Sequence, residues 1–178
     1  LSAPHTHQGQ GGWGLKLAGR LFAGAYDEDT EIRLANQFYD AIVQSTEQLE
    51  PAQIYFDEIE DTDNIRNRLP VEGGLIDPWI RNLIFKRADS TQAELVTYVA
   101  HPTVLNRKFL QLSRDYPGML LDSIEIKRVH FGLFMAGAVG SRGALREGDS
   151  DMARAQGVAH GLSSKMKERE QEGHRILS

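Results

Sequence analysis

Four short runs rich in β-branched and aromatic residues, set between stretches of helical spacing, constrain this chain most. The runs are residues 54–56, 79–85, 94–100 and 129–135, all of strand length. Asp27-Glu28-Asp29-Thr30 supplies capping oxygens and N-terminal negative charge for a helix. Along it Ala35, Phe38, Tyr39, Ile42, Thr46 and Leu49 recur at helical spacing until Pro51 stops it. Asp115-Tyr116-Pro117-Gly118 opens a second helix through Met119, Leu120, Ile124 and Ile126. Asp149-Ser150-Asp151 caps a last one, with Met152, Ala155, Ala159, Leu162 and Met166 on one face. Residues 4–14 and the polar stretch 64–77, with Pro70, Gly73 and Gly74, read as loops, and Ile176-Leu177 offers the start of a further strand. Strands alternating with helices specify an α/β or mixed α+β domain, in which functional residues collect at the C-terminal ends of strands.

A length of 178 residues suits a single domain spanning 1–178 and is short for two. Hydrophobic residues at 40% and charged residues at 25% exclude disorder across the whole chain. Twenty Lys+Arg against 25 Asp+Glu leave a formal charge of −5, the wrong sign for a nucleic-acid surface. The longest basic cluster, 165–169, is interrupted by Met166 and Glu168 and reads as a solvated helix face. The absence of cysteine excludes disulfides and Cys-based zinc sites, leaving His, carboxylate or Tyr to hold any metal. No apolar run approaches the ~20 residues needed to span a bilayer, and no signal-peptide pattern is present. The chain opens without Met, and Leu1-Ser2-Ala3 reads as the end of a buried strand whose beginning is missing, the mark of a truncation or a processing point.

The sharpest local feature is Pro4-His5-Thr6-His7. If residues 1–7 continue a strand, alternation puts His5 and His7 on one face. There they share a metal, or one binds it while the other meets a substrate; a structural or solvent-exposed pair is the alternative. The glycines at 9, 11, 12 and 14 would let a ligand approach the backbone closely. His101 ends the strand 94–100 and precedes Pro102, which fixes the backbone after it. It is either a satisfied hydrogen-bonding residue or a metal ligand. With His5 it makes two neutral imidazoles, a set zinc accepts when oxygen ligands complete it. Arg68 is either a surface arginine paired with an acid among 57–63 or a fork for an anionic group or a developing oxyanion. Asp115 either orients a metal-bound histidine or caps the helix that follows it. His130, His160 and His174 are assigned to core packing or surface exposure. Serine chemistry has less support, because Gly140-Ser141-Arg142-Gly143 is not G-x-S-x-G.

Several pieces in order resemble the N-terminal catalytic domain of the neutral/alkaline, non-lysosomal ceramidase family. Ala3-Pro4-His5-Thr6-His7-Gln8-Gly9 is similar to its A-T-H-T-H-S-G segment, with Gln8 and Gln10 standing where Ser and Pro are usual. Asn67-Arg68 resembles its N-R loop. Val99-Ala100-His101-Pro102-Thr103 and Ser113-Arg114-Asp115-Tyr116-Pro117-Gly118 resemble its H-[PG]-T and S-x-D-x-x-G pair. Residues 137–140 resemble its glycine-containing segment after a strand, followed here by Ser141-Arg142-Gly143-Ala144 in place of N-x-S-P or G-D-x-x-P.

The resemblance implies a fragment of a larger zinc-dependent hydrolase domain, one that splits the N-acyl bond of a ceramide-like lipid by metal-activated water. It implies zinc on His5 and His101, completed by a glutamate and a tyrosine from a later part of the family's domain. It implies catalytic roles for His7 and Arg68: Arg68 stabilises the carbonyl oxygen as it gains charge, and His7 protonates the leaving nitrogen or orients the substrate. Asp115 would orient a zinc histidine. The implied partner is a small-molecule or lipid amide, and the implied location secreted or periplasmic. The alternatives are a metal-dependent amidase or esterase on another substrate, and a non-catalytic module that retained the fold.

Overall fold

The computed structural model describes residues 2–47, 49–69, 75–127, 131–145, 148–172 and 175–176. They fall into two compact units, one of Gly9–Pro51 and one of Ser2–Gln8 with Ala52–Ser178. Helices and strands are interleaved along the chain, as the sequence pattern requires. Of the residues assigned from sequence, Pro70, Gly73, Gly74, His130, His174 and Leu177 lie outside those described.

The first unit carries α1 (Leu17–Ala23) and α2 (Glu28–Glu47). α2 starts where the acidic run places it. Glu28, Asp29 and Glu31 stand in its first turn against the positive end of the helix dipole. Asp27, just before it, accepts a hydrogen bond from Thr30 Oγ1 at 2.7 Å. The apolar stripe of α2 is open: Phe38, Tyr39 and Ile42 are exposed, and Thr30 is its one buried residue among those described. α1 has no counterpart in the sequence reading, and it buries none of its residues, so no core-facing periodicity marks it. Gly14 lies against the returning chain. A Cβ there would stand 2.3 Å from Gly24 O and 2.5 Å from Arg20 N, so the crossing admits only glycine.

The second unit contains β1 (Ala52–Glu60), β2 (Ile65–Asn67), β3 (Trp79–Arg87), β4 (Gln92–Tyr98), α3 (Asp115–Lys127), β5 (Phe131–Ala136), β6 (Arg142–Ala144), α4 (Asp151–Glu172) and β7 (Arg175–Ile176). Five strands form a sheet in the order β5-β4-β3-β1-β7. β1, β3 and β4 pair antiparallel in sequence, and β7 adds antiparallel to β1. β4 and β5 are parallel. A parallel pair needs a crossover, which the segment containing α3 supplies. Ile80 of β3, Val96 and Tyr98 of β4 and Phe134 of β5 pack with Leu120 and Ile124 of α3 and with Ala155, Leu162 and Met166 of α4 in one buried cluster. Met152 and Ile126, placed on the apolar faces by spacing, are exposed at the helix ends.

Two assignments change. The stretch 64–77 is not all loop, because β2 pairs antiparallel with β6, Asn67 standing opposite Arg142, in a separate ribbon. The run 165–169 is not a solvated face either. Met166 is in the core, and its flanking cations reach buried acids: Lys165 Nζ lies 3.3 Å from Asp61, and Arg169 Nε lies 3.2 Å from Asp57. Alternation of charge with apolar residues hides this, since the partners come from β1 and the turn after it. Among the described residues no helix is long and apolar enough to cross a membrane.

Candidate metal centre

His101 follows β4 and is fixed through its neighbours. The buried Tyr116 hydroxyl donates to Ala100 O, immediately before it. Its own N–H points to Arg142 O at 3.4 Å, and it forms an isolated bridge to Gly143 of β6. Its C=O accepts the Thr103 N–H at 2.8 Å. The turn then closes on Asp115, whose Oδ2 accepts the Leu105 N–H at 2.9 Å. Asp115 has φ 52°, a left-handed conformation uncommon for a side chain with a Cβ. Its Oδ1 takes the Tyr116 N–H at 2.6 Å. One carboxylate therefore stands at the start of α3 and holds the loop that follows His101.

His5 and His7 reach the same place by a different route from the one expected. Residues 2–7 form no strand, and His5 adopts φ 65°. A left-handed turn, not strand alternation, turns the segment, which side-chain bonds then pin: Ser2 Oγ donates to Phe134 O at 3.1 Å and Thr6 Oγ1 to Ser113 O at 3.0 Å. The ring centroids of His5 and His101 are 4.7 Å apart, those of His7 and His101 5.0 Å, and those of His5 and His7 5.5 Å. Each imidazole offers a nitrogen, and the three nitrogens lie within 4.8 Å of one another. His7 Nε2 and His101 Nε2, 94 positions apart in sequence, are separated by 3.1 Å. The His7 and His101 rings therefore stand within hydrogen-bonding distance of each other. Among the described residues the cluster consists of these three histidines, two exposed and His101 buried. A donor set of neutral imidazoles fits zinc.

Arg68 directly follows β2, and its N–H bonds Ser141 O at 2.9 Å. This ribbon carries it to His101 and not to the acids of 57–63: Arg68 Nη1 lies 2.6 Å from His101 Nδ1. The same Nδ1 lies 3.2 Å from Val139 O. Arginine can only donate, so the first contact requires a lone pair on Nδ1, whereas the second requires a proton there. The two contacts belong to opposite tautomers, and only the one donating to Val139 leaves Nε2 free to bind a metal. Burial, then the Arg68 guanidinium, and then the two neighbouring imidazoles hold the His101 pKa below its ordinary value, against the opposing bond to Val139. The shift favours the neutral ring, the state a metal ligand needs.

Gly143 sets the path of Arg68. A Cβ at 143 would stand 3.0 Å from Arg68 Cγ and 3.2 Å from its Cδ, tighter than ordinary contact. Gly143→Ala is expected to push the guanidinium away from His101 and so raise the His101 pKa toward its unperturbed value. An NMR titration of the imidazole protons checks this; an unchanged titration would show that Arg68 does not depend on the glycine. Spacing in the sequence gave no sign of Gly143, Tyr116, Val139 or Gln8, whose contacts here are made by or with backbone atoms. His160 is exposed on α4, where it lines a separate cleft of about 400 Å³ with Ser123, Ser163 and Lys167.

Comparison with protein-family models and with curated proteins gives no match. Among solved structures, neutral ceramidase from Pseudomonas aeruginosa superposes with a TM-score of 0.84 at 20% sequence identity, covering 100% of this chain and 32% of that one. A ceramidase complexed with C2 gives the same TM-score of 0.84 and 20% identity, with 31% of its chain covered. The chain thus spans about a third of the length of these neighbours. The first and third of the five sequence pieces set out above carry the histidines that come together here, and in architecture the chain has the fold of a part of neutral ceramidase.

Proposed function

We propose that this chain carries part of the active site of a zinc-dependent amidohydrolase acting on a ceramide-like N-acyl lipid. The observation that carries the reading is the convergence of imidazoles from residues 5, 7 and 101 on one point. The fold likeness supports it. His5 and His101 would hold the ion. A bound zinc would supply Lewis acidity, which acidifies water and polarises an acyl carbonyl.

The remaining chemistry is assigned to the chain's own groups. Arg68 donates from its fork to the carbonyl oxygen of the bound amide, where negative charge develops. For that it must leave His101 Nδ1, which then takes up its bond to Val139. His7 is exposed at the mouth of the cluster and orients the substrate, or delivers a proton to the departing nitrogen. Asp115 holds the His101 loop through Leu105.

This division of labour separates binding from turnover. Arg68→Ala is expected to keep its zinc and to lose about 10²–10³-fold in hydrolysis of a fluorescent N-acyl sphingosine. Chelation should abolish hydrolysis in the unsubstituted protein, and added zinc should restore it. Metal analysis beside the rate assay checks both; zinc lost along with activity in Arg68→Ala would contradict the assignment. The segment that departs from the ceramidase pattern, where Arg142 Nη1 donates to Asn67 Oδ1 at 3.2 Å, makes a different acyl substrate the alternative to test. An ester and an N-acyl amino sugar tested with metal add-back would reveal such a preference.

A further inference from the structure

We infer that Gln8 is a positioning residue, which locks the segment carrying His5 and His7 to the loop carrying His101 by gripping Leu105. The inference deepens the zinc-site reading above and rests on it.

Gln8 directly follows His7, yet it is buried where His7 is exposed. Its Nε2 donates to Leu105 O at 2.9 Å, a link across 97 positions. Its other polar groups are engaged as well. The backbone N–H meets Thr6 Oγ1 at 3.3 Å, the backbone C=O accepts the Ser113 N–H at 3.1 Å, and Oε1 lies 3.2 Å from Thr6 Oγ1, whose single proton it shares with Ser113 O. A buried side chain used in this way is held in one orientation, because any other would leave polar atoms unmatched.

What it grips is equally fixed. Leu105 is itself buried, and its N–H is held by Asp115 Oδ2 at 2.9 Å while its C=O is held by Gln8. Ser113 joins the two arms: its N–H bonds Gln8 O, and its Oγ accepts the Asp115 N–H at 3.0 Å. The Thr103 N–H bonds back to His101 O, so the turn 101–105 is short and a shift of Leu105 reaches the imidazole. Residues 2–7 have no strand ladder to set their register against this loop. The Gln8 side chain takes over that role, with Thr6 and Ser2 as lesser ties. Neither the ion nor the substrate is expected to touch Gln8, which acts through the spacing of the histidines.

The test uses the 178-residue chain with Gln8→Met, which keeps length and bulk but removes the donor, and with Gln8→Glu, which sets a carboxylate against Leu105 O. Zinc affinity is measured by competition with a chromophoric chelator, site geometry by the visible spectrum of the cobalt(II)-substituted chain, and folding by far-UV circular dichroism. Both variants are expected to stay folded, to bind zinc about 10–100-fold more weakly, and to show an altered cobalt spectrum. In the unsubstituted chain, the Gln8 side-chain amide protons are expected to exchange slowly and to show NOEs to Leu105. Variants that bind zinc as tightly as the unsubstituted chain with the same cobalt spectrum would overturn the inference and leave the zinc reading standing. An unsubstituted chain that takes up no zinc would remove both. Freely exchanging Gln8 amide protons would overturn the inference even if neither variant folds.

Discussion

His101→Ala is expected to lower zinc affinity by at least about a hundredfold, since removing a ligand costs more than removing a residue that supports one. His101 is buried just after β4 and enters both shorter ring contacts of the cluster, at 4.7 Å and 5.0 Å. Its loss would leave His5 and His7 on a segment without secondary structure, two exposed imidazoles 5.5 Å apart at their centroids. His5→Ala is expected to act in the same direction. His7→Ala, assigned to the substrate, is the control and should keep the ion while slowing hydrolysis. Equilibrium dialysis against zinc followed by metal analysis of all three variants reads the outcome. Full zinc occupancy in His5→Ala and His101→Ala would end the proposal that these two residues hold the metal.

The second large effect concerns the fold beneath the site. Asp61→Ala is expected to destabilise the protein by about 3 kcal/mol, the low end of the cost of breaking a buried pair. Asp61 is fully buried and accepts from the Tyr98 hydroxyl at 2.6 Å, from Asn64 Nδ2 at 3.0 Å and from the Asp63 N–H at 3.2 Å. Lys165 Nζ stands 3.3 Å away and also reaches Asp63 at 2.8 Å. Alanine would strand the Tyr98 hydroxyl in the core, where burial and Asp61 now keep it firmly protonated. The loss stays at the low end because the Lys165 side chain is 25% exposed and can rehydrate. For a protein of this size the change corresponds to a fall in Tm of roughly 6–12 °C. Asp61→Asn, which retains an acceptor for Tyr98, should fall between the two. Thermal unfolding followed by circular dichroism decides; an Asp61→Ala midpoint equal to that of the unsubstituted protein would show that this network is not holding α4 to the sheet.

Much of the fold is legible because local signals and tertiary structure agree. The acidic start and the Pro51 stop bracket α2, and the β-branched run before His101 becomes β4. What is not legible depends on partners distant in sequence. β2 and β6 have three residues each, too few to show a period, yet their pairing carries Arg68 to His101. The charges of 165–169 look solvated until β1 and the turn after it bring Asp57 and Asp61 to them. α1 has no buried face for a pattern to reveal. At the site itself the pair His5 and His7 was visible, but the reason they converge was not. Strand alternation would have served equally well, and the chain instead uses a left-handed turn at His5 and the buried reach of Gln8 to Leu105. Such a turn at a non-glycine residue leaves no compositional trace, and it stores strain of the kind that collects at functional sites.

The most direct test of the account is X-ray absorption at the zinc edge on protein loaded with one equivalent of zinc, with His5→Ala and His101→Ala measured alongside. The account predicts at least two imidazole nitrogens at about 2.0–2.1 Å from the ion, with the imidazole signal reduced in each variant. A coordination shell without imidazole, or one that both variants leave unchanged, would contradict it.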